Sequence, residues 1–241
     1  MTLAFDALDA PGSPLARRDP RWKLAALIPA LFAAAALQLP TTVAAAFAGS
    51  VVLLVGARLP RRLAFNRLGA FALFLSPFLI VLPILYGRAG FATALLLAGR
   101  ASAIFILGTI LVTTSPIART VQAAEALGVP RLFARLVLMT YRYIFVLADE
   151  FARLRIALRA RGFRNRANLH SYRTIGSVAG TLLVRGADRA ERVAQAMRCR
   201  GFDGRFRSLA AWHTAPADVL FFALVIGTAA GLLGWDLGCQ P

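Results

Sequence analysis

Lysine is almost missing from this chain: Lys23 is the only one in 241 residues. A phosphate loop of the Gly-x-x-x-x-Gly-Lys-Ser/Thr type is therefore excluded, since Lys23 lies in no such context. Histidine and cysteine are nearly as scarce, with two of each. His170 and His213 flank no cysteine or carboxylate at ligand spacing, and Cys199 and Cys239 make neither a disulfide framework nor a metal site. No Gly-x-Ser-x-Gly or paired-histidine hydrolase signature occurs. Charge is also low, at 16% of residues where a soluble domain carries about 25%.

What fills the chain instead is apolar. The hydrophobic share is 59% and the mean hydropathy +0.66. Only helices and closed barrels satisfy their backbone in lipid. The apolar runs here are long and rich in alanine and leucine, without the two-residue alternation of barrel strands. The expected fold is an all-α integral membrane protein.

Apolar segments fall near 24–39, 42–57, 68–86, 91–114, 132–148 and 215–235. The net charge of +17 helps to orient them, because positive loops stay on the cytosolic side. Arg17, Arg18, Arg21 and Lys23 precede the first segment, and Arg58, Arg61, Arg62 and Arg67 lie between the second and third. The connections at Pro40 and Gly87-Arg88 are nearly uncharged and read as outside. Residues 132–148 break the alternation. Were they a span, a stretch with fourteen arginines and four acidic residues, from Glu150 to His213, would be translocated. Arg135 and Arg142 within them are also costly at mid-membrane. Five spans are expected, with the N-terminus inside and retained as part of a first anchor. The divisions are a cytosolic segment 1–23, four spans over 24–114, a cytosolic helical module over 115–212, and a closing span with the C-terminus over 213–241. Arg100, inside an apolar run, either faces a partner or cavity or snorkels to an interface.

Within 115–212, Ser115-Pro116 predicts a helix start with proline at the first helical position, and Gly128-Val129-Pro130 a stop. A second helix is expected from Pro130 through Arg161, with Asp149 and Glu150 placed to support Arg153. A third runs from Ser171 to Arg200, carrying one apolar face at helical period.

Both helices end in the same words: Arg159-Ala160-Arg161-Gly162-Phe163 and Arg198-Cys199-Arg200-Gly201-Phe202. An arginine at a helix C-terminus is stabilised by the dipole, and its guanidinium offers a rigid fork of donors to a partner. Glycine then closes the helix. One copy reads as a cap. Two copies, presented side by side, suggest docking to two equivalent grooves. The alternatives are an enzyme clamping anionic lipid headgroups with arginine, or a membrane-tethered nucleic-acid binder. No nucleophile is evident for the first, and the apolar stripe on the basic helices argues for a protein or membrane partner over nucleic acid.

These residues resemble a known family. Asp19-Pro20-Arg21-Trp22-Lys23, Ala126-Leu127-Gly128-Val129-Pro130, the run Tyr141 to Leu147 with Asp149-Glu150, and the paired Arg-Gly-Phe motifs are similar to CbiQ, the cobalt/nickel type of transmembrane T component in energy-coupling-factor (ECF) importers. The second motif extends as Gly201-Phe202-Asp203-Gly204-Arg205-Phe206. The resemblance implies a non-catalytic subunit in a bacterial inner membrane, linking a substrate-binding membrane S subunit (CbiM-like) to two ABC-type ATPases (CbiO-like). A small accessory membrane subunit (CbiN-like) can accompany them. ATP is then bound by the ATPases, and this chain holds neither cofactor nor metal. Ala160-Arg161-Gly162 and Cys199-Arg200-Gly201 would be the ATPase-coupling motifs, with Cys199 where alanine is common. Arg159, Phe163, Arg198, Phe202, Arg142 and Glu150 would support them. Cobalt is preferred over nickel or a vitamin on resemblance alone.

Overall fold

A computed structural model describes residue 15 and residues 18–58, 61–164, 166–202 and 214–239. Every regular element among them is helical: α1 (Pro20–Ala36), α2 (Pro40–Gly56), α3 (Arg61–Thr113), α4 (Ile117–Ala126), α5 (Arg131–Ala160), α6 (Leu169–Cys199) and α7 (Pro216–Gly238). The all-α membrane class expected from composition is what the chain adopts. Phe65–Thr113 and Pro216–Gly238 are long and apolar enough to cross a bilayer, and Pro40–Gly56 is a shorter apolar helix.

The chain forms two units, Met1–Val129 with Ala211–Pro241, and Pro130–Ala210. The first holds the apolar core, built where Leu27 and Ala30 of α1 meet Ile106 and Ile110 of α3 and Val225 of α7. At 1.5 Å per residue, α3 is more than twice the length that spans a hydrocarbon core of about 30 Å. It reverses instead at Gly87, whose φ of 58° lies outside the helical region. The two arms then run back along each other, stacking Phe71 on Phe105 with ring centroids 4.1 Å apart. The turn is tight enough that a Cβ on Gly90 would sit 2.1 Å from the Leu82 carbonyl oxygen. This reversal falls at the Gly87-Arg88 connection read from the sequence.

Helix ends in this unit are tied by charged side chains. Asp236 of α7, 1% exposed, accepts from the backbone N–H groups of Gln38 (3.0 Å) and Leu39 (2.9 Å) and from the Thr42 hydroxyl (2.6 Å). It thereby satisfies the orphan donors at the start of α2. Arg100 donates to the Leu37 carbonyl at the end of α1. Of the two roles left open for Arg100, its partner is therefore a helix end of its own chain.

The second unit is a helical hairpin. Glu150 of α5 pairs with Arg185 of α6, and Leu147 lies 3.9 Å from the Cβ position of Gly186. From there the facing residues continue toward Leu132 on α5 and Phe202 beyond α6, so the helices run antiparallel. Expected helix limits hold to within two residues. Pro116 and Pro130 are N-caps rather than first helical residues, with extended ψ of 139° and 134°. The structure also packs α4 on α1, so the helix at the head of the expected 115–212 module has its contacts in the first unit.

Candidate docking site

The two arginine motifs adopt one local geometry. Arg161 caps α5 at φ −84°, ψ 10°, and Arg200 caps α6 at φ −89°, ψ 10°. Gly162 and Gly201 follow in the left-handed region, at φ 79° and 72°. The Phe163 N–H donates to the Leu158 carbonyl and the Gly162 N–H to that of Arg159, both at 3.0 Å. In the second copy Phe202 donates to Met197 and Gly201 to Arg198, again both at 3.0 Å. These are paired Schellman caps, which need glycine because a Cβ disfavours the left-handed turn.

The cap therefore accounts for the glycine and for the backbone N–H of the phenylalanine. It leaves the arginine side chains unexplained. Arg159, Ala160, Arg161 and Gly162 are exposed, as are Arg198, Cys199, Arg200, Gly201 and Phe202; Phe163 is half-buried. The continuation Asp203 to Phe206 lies outside the described residues.

The side-by-side placement expected from the sequence is corrected by the hairpin. Arg161 precedes α6 and Arg200 ends it, so the length of α6 lies between them. Thirty-one residues of helix span about 46 Å, and the short connector can recover only part of that. The two guanidinium-bearing ends stand on the order of 20 Å or more apart. The connector is held at the α6 end: Asn168 accepts from the Ser171 N–H at 2.8 Å, and the Arg166 N–H donates to the Ser171 hydroxyl at 3.2 Å.

Glu150 bridges the two helices of the hairpin. Its carboxylate accepts from Arg153 one turn on at 2.7 Å and from Arg185 across on α6. Those two hydrogen bonds, Arg153 first, keep the Glu150 carboxyl below its usual range. Arg142 is exposed on α5. Beyond Glu150 the helices flank an apolar cleft of about 540 Å³, lined by Leu136, Tyr143, Ile144, Val193 and Met197 with Arg135 and Arg189 as its charged members. Among the described residues no cluster of His, Cys, Asp and Glu could hold a metal ion.

A second group of polar residues escaped sequence reasoning. Lys23, 1% exposed, donates from Nζ to the Thr114 carbonyl at 3.1 Å and to the Ser115 hydroxyl at 2.5 Å. Asp218 of α7 is 3% exposed and lies 3.8 Å from Arg18, which also donates to the Ala217 carbonyl. The available signal was an aspartate at each end of the very apolar α7, since ionisable residues in such a helix usually have a specific partner.

The family profile described as "CbiQ: Cobalt transport protein" matches residues 11–211. A protein of Rhodobacter capsulatus named cobalt transport protein CbiQ is 34% identical over 148 residues, covering 60% of each chain. Two uncharacterized proteins of Methanocaldococcus jannaschii are 26% and 24% identical over 113 and 120 residues, about half of this chain and 41% of each of theirs. The matched region thus spans between two fifths and three fifths of these relatives' lengths. The profile covers most of the chain, and with it the arginine caps of α5 and α6, so this protein belongs to the CbiQ family of cobalt transport proteins.

Proposed function

We propose that the chain is the transmembrane coupling subunit of an ECF-type importer, taking up a transition-metal ion with cobalt the favoured cargo. It sits in the cytoplasmic membrane of a bacterium with its N-terminus and the α5–α6 hairpin in the cytosol. The carrying observation is the pair of exposed arginines, Arg161 and Arg200, set on identical glycine-closed helix ends and separated by the length of α6. Two like features held apart suit two like partners, here a pair of ABC-type ATPases that bind the ATP. The guanidinium fork fits carboxylates and helix-end carbonyls in a groove. Motion of the ATPase pair would pull on the two ends of one hairpin. The hairpin's exposed apolar residues, Leu147 among them, would pass the motion to a substrate-binding membrane subunit.

The work done by this chain is mechanical, with no reaction of its own. Replacing Arg161 and Arg200 together by glutamate in the assembled complex tests the reading. Both side chains are exposed caps, so the fold should persist while ATPase association and metal uptake collapse. A double variant that keeps both would overturn it.

A further inference from the structure

The only lysine in the chain is buried, and what it holds is a junction. Lys23 lies in the first turn of α1. Its Nζ reaches the Thr114 carbonyl at 3.1 Å and the Ser115 hydroxyl at 2.5 Å, the residues that end α3 and lead into α4. Thr113, Thr114 and Ser115 are all buried, as is Asp19, whose carboxylate caps α1 by accepting from the Arg21 N–H at 3.0 Å. Next to this junction Trp22 meets Phe222 of α7 edge-to-face at 5.3 Å, and Arg18 lies over Phe221 and pairs with Asp218. The start of α1 is thus anchored to α7 on one side and to the α3–α4 turn on the other.

Burial of an ammonium is expensive unless its donors are paired. Here the pairing runs to a chain segment more than ninety residues away that has just left an apolar helix. Topology alone asks only for a positive charge near the membrane edge, and any exposed arginine would supply it. A compact, buried ammonium aimed at one carbonyl and one hydroxyl does something else: it fixes the direction in which the chain leaves α3. Downstream, α4 packs against α1, with Ala123 fully buried. Helix α4 ends at Gly128, where φ is 109° and the Gly128 and Val129 N–H groups donate to the Glu125 and Ala124 carbonyls, before Val129 and Pro130.

We infer that Lys23 is a positioning residue that clasps the α3–α4 junction to α1, so that α4 moves as part of the membrane helices. The consequence for transport rests on the coupling role proposed above: force arriving along α5 would enter the membrane helices through a rigid α4 instead of being lost at a loose exit from α3. The clasp itself does not depend on that role.

Amide hydrogen exchange on the full chain in lipid nanodiscs tests it, without ATPases or cargo. Lys23→Met keeps an unbranched stem, one atom shorter, and removes the donors. The expected result is faster exchange in Ile117–Ala126, by about tenfold for loss of charged hydrogen bonds, with a smaller change in α7, where buried Asp218 loses a neighbouring charge, and none in the α5–α6 hairpin. Ser115→Ala removes one of the two acceptors and should give a smaller change in the same segment, so a misfolded Lys23→Met leaves the question answerable. Wild-type protection of α4 in a folded Lys23→Met protein overturns the clasp. If that variant does not fold, unchanged α4 exchange in Ser115→Ala overturns it. So does a uniform rise through α1, α4 and α7, which would mark general loosening.

Discussion

Arg161 and Arg200 occupy the same backbone station, each the last right-handed residue of its helix with a left-handed glycine behind it. The glycine sets the direction in which the chain departs and leaves the arginine at the tip. Ala at position 162 or 201 would meet no neighbouring atom, so its cost is the backbone conformation alone. We expect each Gly→Ala change to destabilise its helix end by about 1 kcal/mol, with Gly→Asn milder because asparagine tolerates this turn. Faster exchange confined to the last turn of α5 or α6 checks the first effect. Under the proposed coupling role, the Gly→Ala protein should also capture the ATPases more weakly although it keeps both arginines, and a pull-down of the complex checks this.

Glu150 should make the hairpin sensitive to acid. Hydrogen bonds from Arg153 and Arg185 lower its pKa from 4.5 on folding. The pairing is therefore complete above pH 4.5 and is lost as the pH falls through the lowered value. Spin labels on α5 and α6 should separate across that acid range, whereas Glu150→Gln should already be loosened at neutral pH and indifferent to acid. Because these groups lie at the surface, high salt should weaken the contact in the native protein. An α5–α6 distance unaffected by both acid and the Gln substitution would show that Glu150 does not hold the helices.

Asp236 offers a sharper stability test. Replacing it by alanine strands the Gln38 and Leu39 N–H groups at the start of α2, while the Thr42 hydroxyl keeps the Leu39 carbonyl as an acceptor. A loss of about 2–3 kcal/mol is expected, and Asp236→Asn should recover part of it by keeping one acceptor. Thermal unfolding in detergent, compared among the three proteins, gives the order wild type, Asn, Ala.

Local rules explain what was legible in the sequence. Gly162 and Gly201 announce helix ends because few other residues take a positive φ cheaply. The charge gap at Gly87-Arg88 marked the reversal of α3, and Gly128-Val129-Pro130 the end of α4. The illegible part was tertiary. Asp236 and Leu39 are 197 residues apart and Lys23 and Ser115 are 92 apart, so no periodicity links them. Lys23 counted in the sequence as one more cytosolic charge, and burial gave it a different task. The separation of Arg161 from Arg200 was likewise invisible until α5 and α6 were seen to be antiparallel, although the motifs themselves were plain.

The sequestration of Lys23 also decides how this molecule can be probed. With its single side-chain amine enclosed, acylating labels and amine-directed crosslinkers find no lysine on the folded surface. Both thiols are exposed instead, Cys199 beside Arg200 at the tip of α6 and Cys239 just past α7. A maleimide thus reaches one of the two arginine-bearing helix ends in the unaltered protein. Protection of Cys199 on addition of an ATPase, with Cys239 as the internal reference, would report that contact without any mutation.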